Sequence, residues 1–199
     1  MTVAGINLTI AIGLIAAIGD VSRFSSSEKL VSYFGLNPRV RQSGDGHAHH
    51  GRISKIGRAH ARGLLVEAAW AAAATPGPLR SFFARIMRKR GKPIAAVATA
   101  RKITVIIWHL LSKKEDYAFG RPALLQAKIR QMEIKAGLPS KRGGNTPGRA
   151  REYNIKGLRE RERALVAQAE AAYSRFVAAW SARPKSSTRR AGAAKEERR

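Results

Sequence analysis

Cysteine is absent from the 199 residues. That excludes disulfides, thiolate nucleophiles and cysteine-bound zinc, and it fits a reducing compartment, so a cytoplasmic location is expected. Acidic residues are scarce as well. Through residue 120 they are Asp20, Glu28, Asp45, Glu67, Glu115 and Asp116. A two-metal nuclease converges several carboxylates on Mg²⁺, and these residues supply no such set, so the chain alone is not expected to be a metal-dependent nuclease. Clean hydrophobic runs are missing too. Leu8–Ile18 has no basic residue ahead of it and ends at Gly19-Asp20, unlike a signal peptide. Ile94–Leu111 is broken by Arg101 and Lys102 and does not read as a membrane span. A soluble protein with no membrane partner is expected.

What is present is positive charge. Thirty-eight Lys and Arg face 13 Asp and Glu, a formal net charge of +25. Such a surplus repels itself in the compact state and favours a polyanion, with nucleic acid first because phosphate neutralisation supplies much of its affinity. A merely adhesive basic protein fits the same charge. Apolar residues make up 44%, enough for one ordinary core.

No stretch alternates with a strand's period over a useful length, and the periodic segments are helical. Asn7 can cap a helix over Leu8–Ile18. Ser25 and Glu28 have capping-box spacing ahead of a helix carrying Leu30, Val31 and Phe34, which Gly35 and Pro38 terminate. A long irregular loop is expected from about Asn37 to Ile56, a length that usually marks function or disorder. Helical pattern resumes after Gly57 with Leu64, Leu65, Ala68 and Ala72, and Thr75-Pro76-Gly77-Pro78 ends it. Pro78 and Pro93 each suit the first turn of a further helix, with Gly91 between them. The expected fold is all-α: a compact domain of about five helices over 1–117 with a helix-hairpin-helix-like start. Residues 118–157 read as a short helix and basic linker, 158–180 as a charged amphipathic helix, and 181–199 as a disordered basic tail.

Three constellations could carry chemistry. The turn Val3-Ala4-Gly5-Ile6-Asn7 feeds a helix N-terminus, where free amides suit phosphate. It looks like the hairpin of a sequence-independent DNA-backbone binder, with Asn7 in place of a second glycine, a residue that tolerates left-handed backbone. An ordinary capped core helix is the other reading. Next, Ser43 lies in a glycine-containing loop among Arg39, Arg41, Arg52, Lys55, Arg58 and Arg62, with Asp45 as the loop's acid. A serine hydroxyl is a weak nucleophile that needs a base or an electropositive site, and phosphoryl transfer needs cations where charge builds on phosphate oxygens. Guanidinium groups serve both needs. A solvated basic loop that binds phosphate and catalyses nothing explains the same residues. Finally, His47, His49 and His50 lack a completing carboxylate or thiolate and read as solvated histidines, so no metal is expected in this chain.

The residues Val3-Ala4-Gly5-Ile6, Ile18-Gly19-Asp20, Arg23-Phe24, Tyr33-Phe34-Gly35-Leu36-Asn37-Pro38, Gln42-Ser43-Gly44 and Gly51-Arg52-Ile53-Ser54-Lys55-Ile56-Gly57 occur in an order with a known relative. So do Arg90-Gly91-Lys92-Pro93 and Ala100-Arg101-Lys102. Together, over about residues 2–117, they resemble the C-terminal transposase domain of the 110/116/902 group of insertion sequences. The resemblance implies a DNA-binding protein of DNA transposition and recombination, working with a structured non-coding RNA. It implies Ser43 as the nucleophile on a DNA phosphodiester, with Gly5, Ile6, Asn7, Arg39, Arg41, Arg52, Lys55 and Arg58 contacting DNA or RNA. Mg²⁺ is implied only through an N-terminal RuvC-like domain with acidic residues. Met1 falls just before the hairpin, so a truncated member lacking that domain is expected, acting as a homo-oligomer or complementing a full-length transposase. A non-catalytic nucleic-acid-binding remnant is the alternative. The three histidines between Ser43 and Gly51 and the basic extension after Tyr117 depart from the family's pattern.

Overall fold

Asn7 sets the first element. In extended backbone, at φ −90°, its Oδ1 accepts the Ile10 N–H at 2.9 Å and caps helix α1, Leu8–Ile18. The left-handed backbone expected of Asn7 is not adopted; only Gly5, at φ +85°, takes it in this turn. The structure is a computed structural model that describes residues 1–44, 47–138 and 155–180. Residues 139–154 of the 118–157 segment expected as a short helix and basic linker, and the 181–199 tail, lie outside the described residues.

One face of α1 buries Ile10, Leu14 and Ile18. A 3-10 turn at Val21–Arg23 leads to α2, Ser27–Tyr33. The Ser25–Glu28 capping box does not form. The N-cap is Ser26, one residue later than the box needs, so Glu28 accepts from the Ser27 hydroxyl at 3.1 Å instead. The far end follows the expected stop. Gly35 turns left-handed at φ +69°, its N–H reaches Ser32 O, and the Leu36 N–H reaches Val31 O, a Schellman pair that buries Leu36 against the helix.

Helix α3, Ala59–Ala74, presents Ala61, Leu65, Ala68, Ala69 and Ala72 to the core. Its alanines allow a close backbone approach, and Gly5 uses it: a β-carbon at Gly5 would overlap the carbonyl oxygen of Ala68. Helix α4, Pro78–Arg90, and α5, Lys92–Lys113, are separated by Gly91 at φ +83°, with Pro78 and Pro93 in their first turns as the sequence implies. By length and composition α5 could cross a membrane. Here it is the central helix, packed against α2, α3 and α4 with Ala95, Thr99, Ala100, Ile103 and Thr104 buried. Five α-helices thus fall among the described residues up to 117, and the fold is all-α apart from one hairpin.

That hairpin replaces most of the expected irregular loop. Strands β1, Pro38–Arg41, and β2, His49–Ile53, pair antiparallel as Val40↔His50 and Arg41↔His49, with a bulge between Pro38 and Val40. The alternation is short and its outward residues are basic, so a hydrophobic period could not announce it.

Beyond Tyr117, α6, Pro122–Lys135, and α7, Lys156–Ala179, lie against the body. Lys128 Nζ donates to Met1 O at 2.9 Å and Ile6 O at 2.7 Å, tying α6 to the N-terminal turn. On α7, Glu170 accepts the Gly77 N–H at 3.0 Å and both donors of the Arg80 fork, while Glu162 accepts the Ala123 N–H at 2.8 Å. Two carboxylates on one helix thereby cap the N-termini of α4 and α6, where the helix dipoles favour negative charge. Sequence periodicity identifies α7 as a helix but does not specify these contacts.

Candidate nucleic-acid interface

The hairpin is held at its base. Two glycines make the base possible. A β-carbon at Gly35 would sit 2.6 Å from Ile56 O, and one at Gly57, φ +136°, would overlap Tyr33 O, so the chain returning from β2 can lie against the end of α2. Backbone bonds Ser54 N–H to Asn37 O at 2.8 Å and Arg58 N–H to Tyr33 O at 3.1 Å close the junction. The Arg62 guanidinium donates to both Phe34 O and Lys55 O at 3.1 Å, a clamp that commits this arginine to the fold. Lys55 stands at φ +57°, an uncommon backbone state for a non-glycine residue.

Beside the junction lies an aromatic and guanidinium cluster. Arg23 stacks 4.6 Å from the Phe24 ring centre and 4.7 Å from that of Tyr33. Arg58 donates from Nε to Tyr33 Oη at 2.7 Å, and the Tyr33 hydroxyl donates to Ala17 O at 3.2 Å. Burial pushes the Tyr33 phenol up, but hydrogen bonds and charge from Arg23 and Arg58 outweigh it and hold the phenol below its usual range. Nothing local in the sequence gives Arg23 and Tyr33 these roles, and the i, i+25 pairing of Tyr33 with Arg58 has no local signal.

Arg39, Arg41, Arg52, Lys55 and Arg58 are all exposed, so every basic residue expected to meet phosphate is accessible. Arg39 makes a long bond, 3.4 Å, to Ser54 O. Ser43 follows β1 by two residues, is exposed, and precedes Gly44 at φ +56°. It makes no hydrogen bond to any described residue. Asp45 and Gly46 lie outside the described residues, as does the side chain of His50. His47 and His49 are exposed.

The N-terminal turn is placed differently. Ile6 is 5% exposed, Gly5 abuts α3, and Asn7 spends its side chain on the α1 cap. Lys128, on α6, occupies the Ile6 carbonyl. The turn and the hairpin are therefore distinct features, one packed into the body and one projecting from it. Among the described residues no cluster of three or more His, Cys, Asp or Glu gathers, so these residues do not fit a Mg²⁺ site.

Residues 1–84, which carry α1 to mid-α4 and the hairpin, match the model of the Transposase IS116/IS110/IS902 family. Over 123 residues the chain is 32% identical to the transposase for insertion sequence element IS1111A of Coxiella burnetii, covering 60% of this chain and 34% of that protein. Over 124 residues it is 32% identical to the probable family 20 transposase of Pseudomonas aeruginosa, covering 60% and 36%. A 44.8 kDa protein of insertion element IS116 from Streptomyces clavuligerus is 29% identical over 112 residues, covering 54% and 27%. The chain spans about a third of the length of the first two relatives.

Proposed function

We propose that this chain is a member of the IS116/IS110/IS902 transposase family, whose model its residues 1–84 match, and that it grips DNA with its hairpin and presents Ser43 as the nucleophile of strand transfer. The observation that carries the reading is the exposed hydroxyl of Ser43 at the end of a projecting strand whose outward side chains include Arg39 and Arg41. These guanidiniums, with those of Arg52 and Arg58, bind phosphate oxygens in bidentate fashion, Lys55 adds a point charge, and together they offset the charge that builds during transfer. In the step, Ser43 Oγ forms a bond to phosphorus and the bond from phosphorus to one sugar oxygen breaks. The hydroxyl proton passes to solvent and the departing oxygen takes one up. Phosphodiester number is conserved, so the reverse step reseals a strand with no energy source. A structured RNA is a second polyanion for the same cationic surface.

Carboxylates for a metal are not gathered among the described residues, and no step is routed through one. We assign that role to acidic residues of a further segment or polypeptide, which makes assembly with another copy or a longer transposase part of the proposal. That no described residue hydrogen-bonds to Ser43 as a base favours a second reading for the chain by itself, a nucleic-acid binder that catalyses nothing.

One experiment separates the two. The chain is incubated with DNA of the element's ends, its RNA, Mg²⁺ and a longer family transposase carrying a serine-to-alanine change, and a denaturation-resistant protein–DNA adduct is sought. The nucleophile reading requires an adduct on this chain that disappears in Ser43→Ala. Binding without any adduct leaves the non-catalytic reading, and an adduct that survives Ser43→Ala removes Ser43 from the mechanism.

A further inference from the structure

A second cationic feature lies away from the hairpin, in the extension after Tyr117. The first turns of α6 and the first two turns of α7 enclose a cleft of about 590 Å³. Arg121 enters it from the α6 cap position, and Lys156, Arg159 and Arg163 enter from α7. On α7 these three are spaced i, i+3 and i+7, so they share one helix face. Glu160 is the acid of the lining, 3.9 Å from Lys156 with both side chains largely exposed, a pair that neutralises little. Glu162, the other nearby carboxylate, accepts the Ala123 N–H through Oε1, while its Oε2 is buried without a partner among the described residues.

This arrangement is self-repelling. Arg159 and Arg163 are like charges one turn apart, which weakens a helix, and the cluster faces the positive end of the α6 dipole. Arg121 adds a sharper signal: its Nε is buried and without a hydrogen-bond partner among the described residues. A buried donor left unmade costs free energy unless an acceptor arrives. Four cations against one carboxylate specify an anion of more than one charge. The cleft is sized for one or two nucleotides rather than a protein. Its apolar lining is Leu124 and alanines, with no aromatic ring to stack a base and no amide to read a base edge.

We propose that the α6–α7 cleft is a second, sequence-independent site for the phosphodiester backbone of a nucleic acid strand, formed by the extension and separate from the hairpin. Arg121 supplies the inner, directed donor, and Lys156, Arg159 and Arg163 supply the outer charge. The site does not require Ser43 to be catalytic.

The test is a salt titration of binding to a labelled oligonucleotide by the full chain, comparing wild type with Arg121→Gln/Arg159→Gln/Arg163→Gln. Loss of about 2–3 phosphate contacts should lower the slope of log K against log [salt] by about 2–3 and weaken binding on the order of 100-fold at 0.1 M salt. An Arg39→Gln/Arg41→Gln variant run beside it should lower the slope by about 2 on its own account, and the two changes should add. An unchanged slope in a folded cleft variant overturns the proposal while leaving the hairpin reading intact, and the converse result spares the cleft. Should the triple variant not fold, Lys156→Gln/Arg159→Gln, both on exposed positions, carries the same test with a slope change of about 2. Inorganic phosphate is the competing anion. If phosphate binds the wild type but not the cleft variant, while the oligonucleotide shows the same salt slope with both, the cleft binds a free anion and the strand assignment fails.

Discussion

The helical body and the hairpin are held by different forces. In the body, Leu30, Phe34, Leu65 and Ile103 are fully buried, and even the backbone of Gly5 is pressed against α3. In the hairpin, Val40 is 53% exposed, and Ile56 just beyond it is 75% exposed. A two-stranded hairpin without a buried face is marginal in water. Its anchorage comes from Ile53 at the end of β2, which packs against the core, and from the glycines, the Arg62 clamp and the Arg58–Tyr33 bond at its base. The body's residues are thus accounted for by packing, whereas the hairpin's arginines contribute little to the fold and make physical sense once a polyanion lies across them.

The contrast can be broken most forcefully in the body. Gly5→Ala forces a side chain onto positive φ and into the α3 backbone, and should cost about 3 kcal/mol or more, read as a large fall in the denaturant midpoint. A loss below about 1 kcal/mol would mean that the turn is not packed as described. A smaller effect is expected where α7 meets α4. Burial raises the Glu170 carboxyl, but the Arg80 fork and the Gly77 N–H outweigh it and hold it below its ordinary value. A depressed carboxyl contributes stability above its unfolded pKa, and that contribution is lost as pH falls through the lower folded pKa. Glu170→Gln should therefore cost about 1 kcal/mol at neutral pH, Arg80 being partly exposed and screened, with the gap to wild type closing in acid. Thermal melts at neutral pH and under acid conditions check it; a gap that widens in acid contradicts the sign.

The smallest effect on stability belongs to the hairpin. Arg39→Gln/Arg41→Gln should change folding free energy by less than about 0.5 kcal/mol, the ordinary range for surface substitutions, while DNA affinity falls steeply at low salt. Parallel melts and binding isotherms sharpen the comparison, and a destabilisation as large as that of Gly5→Ala would erase it.

Much of the body was legible in the sequence for a physical reason. Asn7, Gly35, Pro78, Gly91 and Pro93 act through their own backbone, so their caps and stops need no distant partner. The Ser25–Glu28 box failed because its pattern is also local, yet Ser26 competed for the same cap. The hairpin was missed because strands of Arg, Val and His carry no hydrophobic alternation. Val40, Ile53 and the Asp45-Gly46 dipeptide were the signals available. The exposed arginines beside Ser43 were foreseeable from composition. The Arg23–Tyr33–Arg58 cluster and the two carboxylate caps from α7 join residues far apart in the chain, and only the fold brings them together.

Amide hydrogen exchange with and without DNA probes the division of labour between body and hairpin most directly. The account predicts rapid exchange across 38–53 in the free chain and strong protection of those amides on binding, with α1, α3 and α5 protected throughout. Protection gained on the body while 38–53 continues to exchange freely would contradict it.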